Sequence, residues 1–268
     1  MSHLRGYTIA ELTFTLIVIV LIGAIVVPML EFGGRRRGHP RQMQSSTQVR
    51  GIIQGLINYS PGNKDRYPGL TADGKEDTTL LKFDATTYGT PSRSGYDPAY
   101  RIAILIRNSY FTPEYAISPS EIVQTKVPAS LSGTTSPIAI PPGAITKDTF
   151  SFAMLRIDDE AGKGRRDEWS ATTNSKAAVI SDRNLGPMSG KWARSIHDVA
   201  GSQWRGTVGF NDNHVNFETD HRLTDTAYAA GGEVAADNLF ADDLTKAGNA
   251  GFDAGMVHQD ATTYLNQN

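Results

Sequence analysis

An α+β subunit, with a long N-terminal helix laid on an antiparallel sheet, is predicted by three features of this sequence. Residues 6–30, GYTIAELTFTLIVIVLIGAIVVPML, form an apolar run with one acid, Glu11, near its start. Val49, Ile52, Ile53, Leu56 and Ile57 then recur at helical spacing, and residues 206–218 alternate about Asn211, Asp212 and Asn213. The first feature supplies a helix of membrane length, the second an amphipathic continuation of it, and the third the last hairpin of a sheet.

Residues 12–30 contain no charge. At about 1.5 Å rise per residue they reach roughly 28 Å, close to the ~30 Å hydrocarbon core of a bilayer. A cleaved secretory signal fits less well, because its apolar region is shorter and ends in small residues. Here Pro28, Met29, Leu30 and Glu31 follow instead. Glu11 is costly in such a segment, about 2.5 to 3.5 kcal/mol on insertion scales, so it reads as a functional group that meets an opposite charge.

The order of these residues resembles the N-terminal motif of type IV prepilins and type II secretion pseudopilins. A short leader ends at Gly6, Tyr7 and Thr8 follow, Glu11 lies four positions after Tyr7, and an apolar helix continues. The resemblance implies that a prepilin peptidase cuts between Gly6 and Tyr7 and methylates the new amino group of Tyr7. It also implies that Glu11 serves subunit assembly, answered by the freed amine of a neighbour, and that Gly23 and Pro28 bend the helix. The residues divide accordingly into a leader (1–6), a transmembrane and filament-core segment (7–30), a soluble α+β domain (31–221) and an acidic C-terminal extension (222–268). A plain signal anchor with Glu11 at the water interface is the simpler reading of the same residues.

The implied topology is a single-pass inner-membrane protein with a cytoplasmic N-terminus and an extracytoplasmic domain. Arg35, Arg36, Arg37 and Arg41 depart from it, since they outnumber Arg5 on the side that the positive-inside rule assigns to the cytoplasm. Anionic headgroups or acidic surfaces of adjacent subunits would suit this cluster, as would plain solvation.

Past the anchor, Gly33, Gly34, Gly38 and Pro40 predict a break or kink over residues 32–41. An amphipathic helix is expected over 42–59, with Gln48, Arg50, Gln54 and Asn58 on its polar face. The stretch SSTQVRGIIQGLINYSPGNKDRYPGL resembles the region after the anchor in G-type pseudopilins. Pro61, Gly62, Asn63, Asp65, Pro68 and Gly69 mark a loop, and Asp73, Gly74 and Asp77 a second turn. Asp97 before Pro98 predicts a capped helix over 98–109. Residues 112–143 read as an irregular crossing with a short strand near 138–140.

Strands are expected over 149–157, 177–181, 206–210 and 214–218. Val208, Phe210, Val215 and Phe217 alternate about the turn residues, which tolerate left-handed backbone. The segment NDNHVNFE resembles the C-terminal DGHV hairpin found in bacterial proteins with a prepilin-type N-terminus, with Asn213 in place of glycine.

Composition sets the remaining bounds. With 39% hydrophobic residues, 20% charged residues and a net charge of −2, nothing favours nucleic acid as a partner. The absence of cysteine removes disulfides and thiolate metal sites. Asp182, His197, Asp198, Asp212, His214 and His221 offer ligands for zinc or iron, but their spacing forms no zinc signature, so no metal site is assigned. Asp158, Asp159 and Glu160 lack the order of an EF-hand loop, and calcium is kept as a candidate cofactor only through the resemblance. A GxSxG elbow, a Walker loop and an HExxH helix are all missing, so no enzyme is expected.

The extension carries Asp225, Glu233, Asp237, Asp242, Asp243, Asp253 and Asp260 against Lys246, and reads as a solvated or partly ordered edge segment suited to the arginines of a neighbour. The expected function is a structural subunit of a type IV pilus-like or type II secretion pseudopilus filament. Its expected partners are the prepilin peptidase, identical or related subunits, an assembly ATPase, a platform protein and membrane lipid. The alternative is a membrane-anchored extracytoplasmic binding or hydrolytic protein that uses the His and Asp cluster.

Overall fold

The computed structural model describes residues 9–35, 38–77, 96–121, 148–157, 166–186, 194–197, 203–224, 226, 237–240 and 256–258, without the side chains of residues 23–40, 237 and 257. The chain divides into two units, residues 1–41 and 42–268.

Helix α1 (Ile9–Arg35) occupies the first unit, with Glu11 in its first turn. Its hydroxyls are satisfied locally: Thr13 Oγ1 donates to the Ala10 carbonyl and Thr15 Oγ1 to the Leu12 carbonyl, both at 2.9 Å. Such back-bonding lets a threonine sit in an apolar helix without an orphaned donor. Ile9, Leu12, Phe14, Leu16, Ile17 and Ile19 are all exposed. Side chains of α1 are described for residues 9–22 only. Among the described residues no helix is long and apolar enough to cross a membrane.

Helix α2 (Gly38–Tyr59) follows. The expected break over 32–41 is narrower than predicted, because α1 continues through Gly33 and Gly34 to Arg35 and helix resumes at Gly38, with residues 36–37 outside the described set. Pro40 is tolerated because it lies in the first turn of α2, where its missing N–H has no intrahelical partner to lose.

In the second unit Val49, Ile52, Ile53 and Leu56 are fully buried, while Arg50, Gln54 and Asn58 are exposed, as the helical period requires. Gln48 departs from its expected polar face and is buried, since it stands four residues before Ile52 and three after buried Ser45. On another side the 110–115 segment crosses close to the helix backbone. Tyr115 Oη donates to the Thr47 carbonyl at 3.0 Å, and the Tyr110 Cβ would lie 3.3 Å from a methyl at Gly55.

A 3-10 turn, Ser60–Asn63, ends the run, and Lys64, Asp65 and Gly69 take positive φ in the loop after it. Helix α3 (Pro98–Arg107) forms where its cap predicts: Asp97 accepts from the Ala99 N–H at 2.8 Å, and proline occupies the first turn. Residues 113–116 make another 3-10 turn. The strand expected near 138–140 lies outside the described residues.

The sheet comprises β1 (Phe152–Leu155), β2 (Ala178–Asp182), β3 (Gly206–Phe210), β4 (Val215–Glu218) and, after the short pair β5 (Arg222–Leu223) and β6 (Asp237–Asn238), β7 (Met256–Val257). Its order is β4-β3-β2-β1-β7, and every pairing is antiparallel. The fold is therefore α+β. The predicted hairpin forms with Gly209 opposite Val215 and Asn213 in the left-handed region at φ 67°. Its alternation is masked by burial in β3, since every residue of β1, β2 and β3 is buried, whereas in β4 Asn216 is exposed between half-buried Val215 and Phe217.

Gly209 sets the approach of α2. A methyl there would meet Ile53 Cδ1, Val49 Cγ1 at 2.7 Å and Ile180 Cγ2 at 3.0 Å. By strand alternation Thr207 and Gly209 face α2, and Val208 and Phe210 face away. The described parts of the C-terminal segment belong to the same body: Leu239, Phe240 and Met256 join the core, and His258 Nδ1 donates to the Phe152 carbonyl at 2.9 Å. Replacing Gly209 with valine is expected to cost about 1–3 kcal/mol by overpacking. Gly62→Ala, where a methyl meets nothing within 4 Å, is expected to stay within about 0.5 kcal/mol of the parent in urea unfolding followed by tryptophan fluorescence.

Candidate functional site

The described His and Asp residues of the predicted cluster are not brought together into one site. Asp182 meets His197, Asp212 meets His214 across the hairpin turn, and His221 lies 3.1 Å from Asp220, while Asp198 falls outside the described residues. No group of three or more His, Asp or Glu side chains able to hold a metal is found among the described residues. The acidic loop Asp158, Asp159 and Glu160 is also outside them.

Asp182 is the chemically dense point. Its side chain is fully buried at the end of β2, facing α2. Oδ2 accepts from the Thr207 N–H at 2.7 Å and from His197 Nε2 at 2.8 Å, and Oδ1 accepts from Ser45 Oγ at 3.2 Å. Ser45 and Ser118 hydroxyls lie 3.3 Å apart, and Ser195 Oγ accepts the His197 N–H at 2.9 Å. The His197 ring stands edge-on to Phe217 at 5.1 Å.

A buried carboxylate is stable when its lone pairs are filled by donors, and here a backbone amide, a hydroxyl and an imidazole N–H supply them. In a Ser–His–Asp relay the imidazole lies between hydroxyl and carboxylate. Here Ser45 and His197 both donate to the carboxylate itself, so the arrangement ties α2, β2, β3 and the 195–197 loop to one charge. Sequence reasoning placed Asp182 and His197 in one cluster but missed Ser45 and Thr207, whose polar atoms carry no pattern along the chain.

A second buried node was missed altogether. Asn211, read as a turn residue, is 1% exposed. Its Nδ2 points at the Ser170 carbonyl at 2.7 Å and the Glu168 carbonyl at 2.8 Å, and its Oδ1 accepts from Tyr67 Oη at 2.5 Å. Burial raises the Tyr67 phenol pKa, which keeps that donor protonated. Arg101 is buried under Trp169 at 4.6 Å and donates to the Leu155 carbonyl at 2.7 Å, and Arg183 forms a two-point pair with Glu121 at 2.8 and 2.9 Å.

Of the residues assigned to processing and assembly, Glu11 lies exposed on α1, Gly23 and Pro28 lie within that helix, and Gly6 and Tyr7 are outside the described residues. No family model, curated protein or solved structure matches the chain.

Asp182→Asn turns an amide N–H₂ toward groups that are themselves donors and is expected to cost about 2–4 kcal/mol, read from urea midpoints with Trp169 and Trp204 as reporters. Burial lowers the His221 pKa, with Asp220 opposing it, so the unfolded chain binds the proton more readily. Stability should therefore rise with pH from the depressed folded value to the ordinary histidine value of about 6.5. Comparing urea midpoints at several pH values checks the sign, and His221→Gln should flatten that part of the profile.

Proposed function

We propose that this chain is a prepilin-processed structural subunit of a type IV pilus-like or type II secretion pseudopilus filament, held in the inner membrane before assembly. The observation that carries the reading is Glu11, a lone acid in the first turn of an apolar helix, four positions after Tyr7. A helix that presents apolar groups on every side is suited to lipid or to a bundle of its own kind. The described face of α1 offers such groups, with Ile9, Leu12, Phe14 and Leu16 all at least 60% exposed.

The soluble part supports a pilin-like arrangement through two features. The apolar stripe of α2 covers one face of an antiparallel sheet, and the 206–218 hairpin forms one end of that sheet. In the proposed mechanism a prepilin peptidase removes residues 1–6 at the cytoplasmic face and methylates Tyr7. The carboxylate of Glu11 is then neutralised by the Tyr7 amine of a neighbouring subunit, a contact strengthened by low dielectric. Assembly ATPase and platform protein draw the subunit from the membrane, and the α1 segments bundle in the filament core. The size of the domain and its hairpin favour a secretion-associated, G-type pseudopilin-like subunit over a major adhesive pilin.

Mass spectrometry of the mature protein tests the processing step, with N-methyl-Tyr7 as the expected first residue and a retained Met1 as the contrary result. Glu11→Ala is expected to abolish filament formation while leaving the urea midpoint of the soluble body within about 0.5 kcal/mol of the parent.

A further inference from the structure

The sheet ends at β4, which pairs with β3 on one side only. The Phe210 N–H donates to the His214 carbonyl at 3.0 Å, so His214 turns its backbone toward β3. By the alternation of an antiparallel ladder Asn216 and Glu218 do the same, while Val215 and Phe217 turn their N–H and C=O groups outward. Those outward groups have no partner among the described residues.

An edge of this kind pairs with other chains unless something blocks it, and the usual devices are lysine, proline or a bulge. Residues 214–218, HVNFE, contain neither lysine nor proline, and the β3–β4 register runs without a shift. Strand β4 is short, but its side chains are ordered for one particular occupant. Val215 and Phe217 are half-buried on the face toward α2, and His214, Asn216 and Glu218 share the opposite face. Reversed about Asn216, the segment matches itself: Val215 falls opposite Phe217, His214 opposite Glu218, and Asn216 opposite its own copy. Asp212 engages His214 Nδ1, which leaves Nε2 open to the facing carboxylate. Glu218 forms no ion pair among the described residues.

We propose that β4 is a self-association edge, on which β4 of a second copy of this chain lies antiparallel with Asn216 at the two-fold axis. Val215 of each copy exchanges N–H···O=C bonds with Phe217 of the other, and their side chains form an apolar cross-strand pair. His214 and Glu218 of opposite copies add a complementary polar pair at both ends. An extended segment of another protein would satisfy the same backbone groups without matching this order of side chains. The contact stands apart from the filament reading, because a two-fold pair closes on two copies whereas a filament repeats a head-to-tail contact.

The chain has no cysteine, so engineered thiols report this edge alone. Residues facing across a non-hydrogen-bonded position stand about 4.5 Å apart at Cα, within the span of a disulfide. Full-length Asn216→Cys chains in detergent micelles are therefore expected to form a disulfide-linked dimer on mild oxidation. In Glu218→Cys chains the two thiols stand about four residues out of step, roughly 14 Å, and self-linking is expected to be about tenfold slower. Mixed with His214→Cys chains, they should link across copies beyond the share that random collision gives. Asn216→Lys in both of those chains sets like charges face to face and should lower the mixed product about tenfold. The urea midpoint should stay unchanged, because residue 216 is exposed.

Asn216→Cys chains that stay reduced overturn the proposal. So do Asn216→Cys chains that link no faster than Glu218→Cys chains, since collision or another register then explains the bond. A mixed product that survives Asn216→Lys undiminished also overturns it.

Discussion

The second unit depends on how closely one helix can approach one sheet. Val49, Ile52, Ile53 and Leu56 present a continuous apolar stripe, and Gly209 leaves the room into which Val49 and Ile53 reach. A side chain at that position would hold the helix away and leave the stripe short of packing contacts along its length. Strands β2 and β3 are buried on both faces, so the helix and the loops opposite it jointly exclude water from the sheet.

Charge is placed with the same economy. Asp182 sits under α2, where the packing would otherwise be apolar, and draws donors from a helix, a strand and a loop to one carboxylate. Such a node adds less to net stability than the apolar contact around it, since desolvating the charge offsets much of the attraction. It does define alignment. A helix sliding along the sheet would strand Ser45 and the carboxylate together, so the penalty falls on wrong registers more than on the unfolded chain. Asn211 does comparable work at the other end of β3, tying the hairpin to the 168–170 segment and to Tyr67.

Local signals were legible wherever short-range physics decides the outcome. The Asp97 cap, the helical period of α2, the four principal strands and the left-handed Asn213 all follow from neighbours within a few residues. Gln48 was misread because its period placed it on a margin, and only the packing of Ser45 and Ile52 shows that this margin is inside. The acidic extension reads as a solvated or partly ordered edge segment, and its described parts do stand at the edge of the sheet, but that Leu239, Phe240 and Met256 join the core is not displayed by the sequence.

By itself the sequence determined the apolar run with its single acid, the amphipathic stripe and the hairpin, because each is a periodicity or a spacing within one segment. Tertiary structure alone decided that Asp182 and His197 meet while His214 and His221 take other partners. It alone decided too that Asn211 is a buried hub and that β7 closes the sheet beside β1. Tyr67 and Asn211 stand 144 positions apart and Ser45 and Asp182 137, and a polar atom carries no mark along the chain of the partner that folding will bring to it.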